Sequence, residues 1–407
     1  MEYVEHRTPD CWLPKAILVF ASVFIAGCGD RTVDRYFVKL TPEHAEAAYE
    51  FQDLASDFDI EIFHQFDSFA QGFSADIPKY LVTKVEALNS VERVYVDERK
   101  PYIPQNSNEF VLEYGEDEVP ANILRVGGPY TGSADISKIH VAVLDTGIDS
   151  QHPDLRVFAE MDIVGVSTGK YAGGTDPGGH GTHVAGIIGA KANGSGIAGV
   201  APGVALHSVR VLDENGEGYF SDILTGLEYA YVNSDIRIVN LSLNTEVVPE
   251  LEMLETALGI MEEAGIVVCM SAGNEGDDTN NYAPTSYNYG IVVSAYDVVV
   301  QDGELQDNGF PAFSNYGKEV DISAPGKDIS STVPNGEYDK LSGTSQAAPH
   351  VAGAVALLLA EKPHLSAIEV RDYIVSYGEQ GYEGQTDLDG KHPEPLLNIQ
   401  NLLSNLD

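Results

Sequence analysis

From residue 139 onward the chain repeats one unit, a short unbroken apolar run followed by a stretch of helical periodicity. The runs fall at 139–144, 205–211, 236–241, 265–270 and 291–293. Strands that stay apolar at consecutive positions are buried on both faces, as in a parallel sheet with helices packed on either side. The repeat predicts an α/β fold over 121–404, built on a doubly wound, mostly parallel sheet. Functional side chains in such a sheet gather where strands end at the carboxyl edge, so those ends are where chemistry is expected.

The first run ends in Asp145-Thr146-Gly147, a carboxylate directly after a buried strand, with a glycine that permits a sharp turn. A carboxylate so placed is either strongly hydrogen-bonded or functional. Gly178-Gly179-His180-Gly181-Thr182-His183 opens a helix of small residues, and Ser271-Ala272-Gly273-Asn274-Glu275-Gly276 follows another run. Leu341-Ser342-Gly343-Thr344-Ser345 sets a serine at the start of a second apolar helix reaching about residue 359. Pro349 is expected in its first turn, where a missing N–H costs little. Singly, each residue has a structural use: Asp145 can cap a turn, Asn274 a helix, and Ser345 can be an N-cap. Together, a serine, a histidine and an aspartate on three strand-to-helix junctions can form a charge-oriented nucleophile.

These segments resemble the subtilisin-like serine proteases, which share the order Asp, His, Ser along the chain. An α/β-hydrolase would need G-x-S-x-G and the order Ser, Asp, His. The resemblance implies Ser345 as nucleophile, His180 as general base and later acid, and Asp145 as the group that orients His180. It also implies Asn274 as an oxyanion donor, beside the Ser345 N–H at a positive helix end. His180 and His183 have the i, i+3 spacing of metal ligands, but no H-E-x-x-H accompanies them, and the second histidine of this family motif is structural. An acid-active sedolisin-type peptidase would need a glutamate where His180 stands. A catalytically dead relative that binds peptides in the same cleft is the rival reading, against which the four intact residues stand.

Gly216, Glu217 and Gly218 resemble the edge segment that pairs with a substrate backbone. Ser242, Leu243 and Asn244, with Ser271 and Gly273, resemble the walls of the primary pocket. Two positions depart from the family. Asn244 stands where glycine is usual and would narrow or polarise the pocket mouth, and Gln346 replaces the methionine that commonly follows the nucleophile. Glu275 lies near the same pocket, but no P1 preference follows from it. The loop 190–197 has the length that wraps calcium in subtilisins, and Asp154 matches its partner. The implied ligands are Asp154, Asn193 and the carbonyls of Lys191, Ser195 and Ile197, oxygen donors suited to a hard cation. A solvated glycine loop is the alternative.

Ahead of this unit, periodicity switches from strand to helix and back in the order βαββαβ across 33–104, a small α+β, ferredoxin-like unit. Strands are expected at 36–40, 60–66, 72–77 and 91–96, with helices at 42–55 and 78–88. Residues 69–76 and 90–98 resemble the subtilisin propeptide, which inhibits its own protease and assists its folding; an ordinary accessory domain is the alternative. Residues 105–120 are polar and acidic and read as a linker that can be cut.

At the start, Arg7 and Lys15 precede the apolar stretch 16–27, of signal-peptide length and too short for a membrane span. Ile25-Ala26-Gly27-Cys28 resembles a bacterial lipobox, which would make Cys28 a lipidated residue and the only membrane contact. A plain signal peptide or a buried helix is the alternative. The chain is expected to end without a further binding domain and to act as a monomer on polypeptides.

Composition excludes other classes. The 407 residues carry 63 acidic and 23 basic side chains, a net −40, so a phosphate backbone is repelled and nucleic acid is excluded as a partner. A hydrophobic content of 43% is too high for a disordered acidic chain. Cys11, Cys28 and Cys269 give neither a disulfide framework nor zinc spacing. Both sides of residue 104 are acidic, so net charge cannot hold the two units together.

Overall fold

The structure is a computed structural model, and it describes residues 33–41, 55–56, 58, 60–69, 71–103, 118–130, 132, 134–168, 173–247, 251–380 and 390–406. The expectations for the leader and Cys28, for the linker up to residue 117 and for most of the helix at 42–55 lie outside these residues.

The N-terminal unit is a four-stranded antiparallel sheet of β1 (Val33–Leu40), β2 (Glu61–Phe66), β3 (Gly72–Pro78) and β4 (Val91–Val96). Its order is β2-β3-β1-β4, as the predicted βαββαβ pattern requires. Helix α1 (Lys79–Glu86) covers one face, burying Leu81 and Val85 against Val38, Ala75 and Ile77. The other face turns Phe37, Phe66 and Tyr95 toward the larger unit. After β4 the chain runs on as β5 (Arg99–Pro101).

The larger unit is built on seven parallel strands. In chain order they are β6 (His140–Asp145), β7 (Val157–Asp162), β8 (Ala205–Arg210), β10 (Ile236–Leu241), β11 (Val267–Ser271), β12 (Ile291–Tyr296) and β13 (Ile322–Pro325), while β9 (Glu217–Tyr219) lies apart and pairs with β5. The order across the sheet is β13-β12-β11-β10-β6-β8-β7. From β6 the chain leaves for the far edge, returns to β8 and then crosses to β10, so strand order reverses around β6. That reversal opens a crevice at the carboxyl end of β6, where Asp145 stands.

The five predicted runs become strands with ends moved by a few residues, and two strands escape the pattern. β7 is an edge strand, half exposed and carrying Glu160 and Asp162; β13 is only four residues long and ends in Pro325. Neither presents a long apolar run.

Helices α2 (His180–Gly189) and α5 (Thr344–Glu361) cover one face through Val184, Ile188, Val351 and Val355. Neighbouring segments press closely on both helices: a Cβ on Gly186 would sit 2.4 Å from Ser331 Oγ, and one on Gly353 would sit 2.6 Å from Val200 Cβ. Helices α3 (Phe220–Val232) and α4 (Glu252–Glu263) cover the other face. Further along lies α6 (Ala367–Ser376), opened by a capping box between Ser366 and Glu369.

The N-terminal sheet docks on α3 and the start of α4. Phe37 and Phe66 pack together with ring centroids 5.0 Å apart, Phe37 lies 6.5 Å from Phe220, and Phe69 lies 5.3 Å from Tyr231. Polar contacts surround them: His64 Nε2 to Asp222 Oδ1 at 2.8 Å, Ser68 N to Glu228 Oε1 at 2.9 Å, and Tyr95 Oη to Glu252 Oε1 at 2.6 Å. Two acidic units are thus joined by apolar contact and specific hydrogen bonds.

Candidate active site

Asp145 closes β6 and is buried. Gly147 turns the chain sharply behind it at φ +118°, where a Cβ would strike the Thr175 carbonyl at 2.7 Å. Asp145 Oδ1 accepts from the Thr146 N–H at 2.7 Å, which fixes the carboxylate plane. His180, first residue of α2, places Nδ1 2.8 Å from Asp145 Oδ1 and 2.9 Å from Oδ2. Asp176, just before the helix, accepts from Thr146 Oγ1 at 2.7 Å and from the Thr182 N–H and Oγ1 at 2.8 and 2.7 Å. It staples the turn carrying His180 to the strand end carrying Asp145. The Asp176-Pro177 pair ahead of the glycines was the only sequence sign of it. Burial pulls the His180 imidazole down, but the Asp145 charge and hydrogen bond outweigh this and leave it above its ordinary value. His183 faces the other way, with Nε2 donating to the Ile329 carbonyl at 2.9 Å, and burial pushes it down to about 3, so it stays neutral.

Ser345 is the second residue of α5, and Gly343 rather than Ser345 is the cap. The Ser345 N–H is therefore among the helical donors without an intrahelical acceptor. Pro349 lies beyond the first turn, which corrects the expectation above. Having no N–H, it cannot serve the Ser345 carbonyl four residues back, and Ser242 Oγ donates to that carbonyl instead at 2.8 Å. Ser345 Oγ donates to the Ser242 carbonyl at 3.3 Å, and no hydrogen bond joins it to His180 among the described residues. His180 Nε2 is met by Gln346 Nε2 at 3.3 Å.

Asn274 Oδ1 accepts from the Thr344 N–H at 2.8 Å and from Thr344 Oγ1 at 3.0 Å. With its oxygen held there, Nδ2 is the end left to donate. Thr344 Oγ1 also accepts from the Gly273 N–H at 3.0 Å. Thr344 is thus a pivot that sequence reasoning passed over, although it sits inside the serine motif. Glu275 Oε2 accepts from the Asn274 N–H and from Asn315 Nδ2 at 2.9 and 2.8 Å, and is engaged within the wall.

The predicted substrate-binding residues line one cleft, and the last strand of the N-terminal unit lies in it. Glu217, Gly218 and Tyr219 pair antiparallel with Pro101, Lys100 and Arg99. The Gly216 carbonyl accepts from the Tyr102 N–H at 2.9 Å, and on the opposite wall the Asn244 N–H donates to the Tyr102 carbonyl at 3.3 Å. The Asn244 side chain is buried with Nδ2 unpartnered, and a Cβ on Gly273 would lie 2.2 Å from that atom. Ser242, Leu243 and Ser271 are buried around these contacts.

Asp154 is fully buried and accepts from Asn193 Nδ2 at 3.0 Å, the Ile197 N–H at 3.1 Å and Tyr338 Oη at 2.7 Å. Ser195 bonds Asn193 Oδ1 through its N–H and Oγ at 3.2 and 2.9 Å, and the Lys191 N–H donates to the Asp154 carbonyl at 2.8 Å. Every donor on the Asp154 carboxylate is neutral, and the surrounding loop supplies amide and carbonyl oxygens, so the donor set fits a hard cation. No group of three or more His, Cys, Asp or Glu suited to a metal occurs among the described residues.

The Subtilase family profile matches residues 137–390. A subtilisin from Bacillus pumilus is 39% identical over 292 residues, covering 71% of this chain and 98% of that one. An alkaline protease from Shouchella clausii is 33% identical over 371 residues, covering 88% of this chain and 90% of that one. Among solved structures, a cold adapted subtilisin-like serine proteinase superposes with a TM-score of 0.59 at 28% identity, covering 69% of this chain and 97% of that one. A doubly wound sheet with a serine, a histidine and an aspartate at its carboxyl edge, in this company, defines a serine-type endopeptidase. The chain belongs to the subtilase family.

Proposed function

We propose that the protein cleaves peptide bonds through Ser345, His180 and Asp145, and is made as a precursor whose N-terminal unit is its own inhibitor. The observation that carries this reading is the pairing of Arg99–Pro101 with Glu217–Tyr219, continued by the Tyr102 bonds to Gly216 and Asn244, which holds the end of the N-terminal unit between the two walls of the cleft. A strand added to the cleft edge is how an extended peptide substrate binds.

In the reaction, the Ser345 hydroxyl turns from the Ser242 carbonyl to His180 Nε2, gives up its proton there and attacks the scissile carbonyl. Asp145 holds the Nδ1–H tautomer and stabilises the imidazolium that forms. Negative charge on the former carbonyl oxygen is met by Asn274 Nδ2 and the Ser345 N–H. His180 then protonates the leaving amine, and water hydrolyses the acyl-enzyme by the same steps in reverse. Gly216, Glu217 and Gly218 carry the substrate backbone on one side; Ser242, Leu243, Asn244, Ser271 and Gly273 bound it on the other.

Maturation falls in the chain after Lys100 and before Pro120, separating residues 33–104 from the catalytic unit at 121–404. Calcium, where bound, is held by Asp154, Asn193 and the carbonyls of Lys191, Ser195 and Ile197, and supplies structural cross-linking of that loop. The stretch 16–27 and Cys28 support export with a lipid anchor, and the protease acts as a monomer on polypeptides.

The test is Ser345→Ala in the full chain. It is expected to accumulate as a folded precursor that neither matures nor reacts with a fluorophosphonate. A variant that still processes itself and digests casein at the parental rate would overturn the mechanism.

A further inference from the structure

Gln346 is almost wholly buried, and its side chain reaches the one ring atom of His180 that does the chemistry. Asp145 takes the Nδ1 side of the ring at 2.8 Å, so in the neutral state the proton is on Nδ1 and Nε2 presents a bare lone pair. The group facing that lone pair at 3.3 Å is the Gln346 amide, whose N–H can donate. Its backbone is held by the same helix: His350 Nδ1 donates to the Gln346 carbonyl at 2.9 Å, and the Gln346 N–H donates to the Gly343 carbonyl at 3.0 Å. The amide oxygen has no partner. A buried polar atom left unpaired is destabilising, so an apolar side chain would fill this place more cheaply unless the N–H has a use.

Resting on the reading of His180 as the base, we propose that Gln346 is a positioning residue for it. Its amide donates to Nε2 of the neutral imidazole and holds the ring in its proton-accepting form.

The charged and titratable groups facing His180 all act otherwise. Asp145 from the end of β6 and Asp176 from the loop before α2 favour the protonated ring, and His183, one turn along α2, is a neutral neighbour with His350 of α5 behind it. Ser345 contributes only a hydroxyl. Gln346 therefore opposes the two carboxylates from α5. It occupies the lone pair that the Ser345 hydroxyl needs, and each turnover has to exchange one donor for the other.

The test compares mature wild type with Gln346→Met, which has similar length but no amide, and with Gln346→Glu, whose carboxylate accepts from the imidazolium. Active sites are titrated with a fluorophosphonate, and kcat/KM on an uncharged peptide amide is followed from pH 5 to 10. The downfield proton resonance of His180 Nδ1–H is titrated in parallel, independently of turnover. The acid limb is expected to move up by about half a pH unit in Q346M, a threefold change in proton affinity in line with one hydrogen bond, and by one unit or more in Q346E. A limb that stays in place or moves down in Q346M, by kinetics and resonance together, overturns the proposal. Should Q346E fail to fold, Q346M decides alone. A wild type that the fluorophosphonate does not label sinks the catalytic reading itself, which is a different failure from a labelled enzyme whose limb does not move.

Discussion

Ser242 Oγ donates to the Ser345 carbonyl at 2.8 Å, in the place a helical N–H from residue 349 would take were that residue not proline. The proposed wall of the primary pocket and the turn bearing the proposed nucleophile are thereby tied through one hydroxyl. Ser345 Oγ returns the contact by donating to the Ser242 carbonyl at 3.3 Å.

Ser242→Ala should leave a buried carbonyl unpaired and cost about 1–3 kcal/mol. Thermal unfolding should fall by a few degrees, and kcat should fall by more than KM changes, since the loosened residue is the proposed nucleophile rather than a binding wall. A variant with parental melting and parental kcat would show that the helix satisfies this carbonyl in another way.

Activity should fall on acidification with a midpoint above about 6.5, because Asp145 raises His180 over the ordinary imidazole value and the protonated ring cannot accept the serine proton. For stability the sign is the reverse. A raised folded value favours the fold fully below the unfolded imidazole value, and that contribution is lost as pH rises through the folded one. A pH series of kcat/KM and of urea midpoints on the mature enzyme checks both signs.

Asp97, buried at the seam between the two units, is pushed up to about 6 by burial and by Asp222, against a weak hydrogen bond from the Ser221 N–H at 3.4 Å and the Arg35 charge. In the separated N-terminal unit this carboxylate returns to water. The complex therefore takes up a proton on forming, and its affinity should rise as pH falls from about 6 toward 4, by at most about tenfold per unit. His64 faces Asp222 across the same seam, so the comparison is between inhibition constants of wild-type and Asp97→Asn units. Equal slopes for the two would remove Asp97 from the account.

Chelation should lower the melting temperature of the mature enzyme, and Asp154→Asn should remove most of that difference. Raising salt from low to molar concentration should stabilise the protein as well, because a chain of net charge −40 repels itself. Melting curves that are indifferent to chelator and salt would count against both statements.

Much of the fold was legible because β6, β8, β10 and β11 are buried on both faces and so read as apolar runs. Asp145, His180, Asn274 and Ser345 were legible because each sits at the end or start of such an element, inside a short glycine-bearing turn. What escaped was long-range or unpatterned. Edge strand β7 is exposed or half-buried until its last residue, and β13 is too short to show a period. The Ser242 bond that compensates for Pro349 joins positions a hundred residues apart, so local reasoning put that proline in the first turn. Docking of residues 99–103 in the cleft combines main-chain pairing with Arg99 ion pairs to Asp213 and Glu217 and burial of Tyr102 and Ile103, all with partners more than a hundred residues away that no local pattern reveals. Gln346 could be seen to depart from its family, but its contact with His180 depends on how α2 and α5 pack.

The strand that fills the cleft belongs to the same chain as the cleft. While residues 103 and 118 remain covalently linked, the effective concentration of that strand at the cleft is fixed by the chain itself, however dilute the protein becomes. The cut proposed there would turn occupancy into a bimolecular equilibrium. From then on the volume into which the protein is released decides how much of it is open, and dilution by itself becomes a switch.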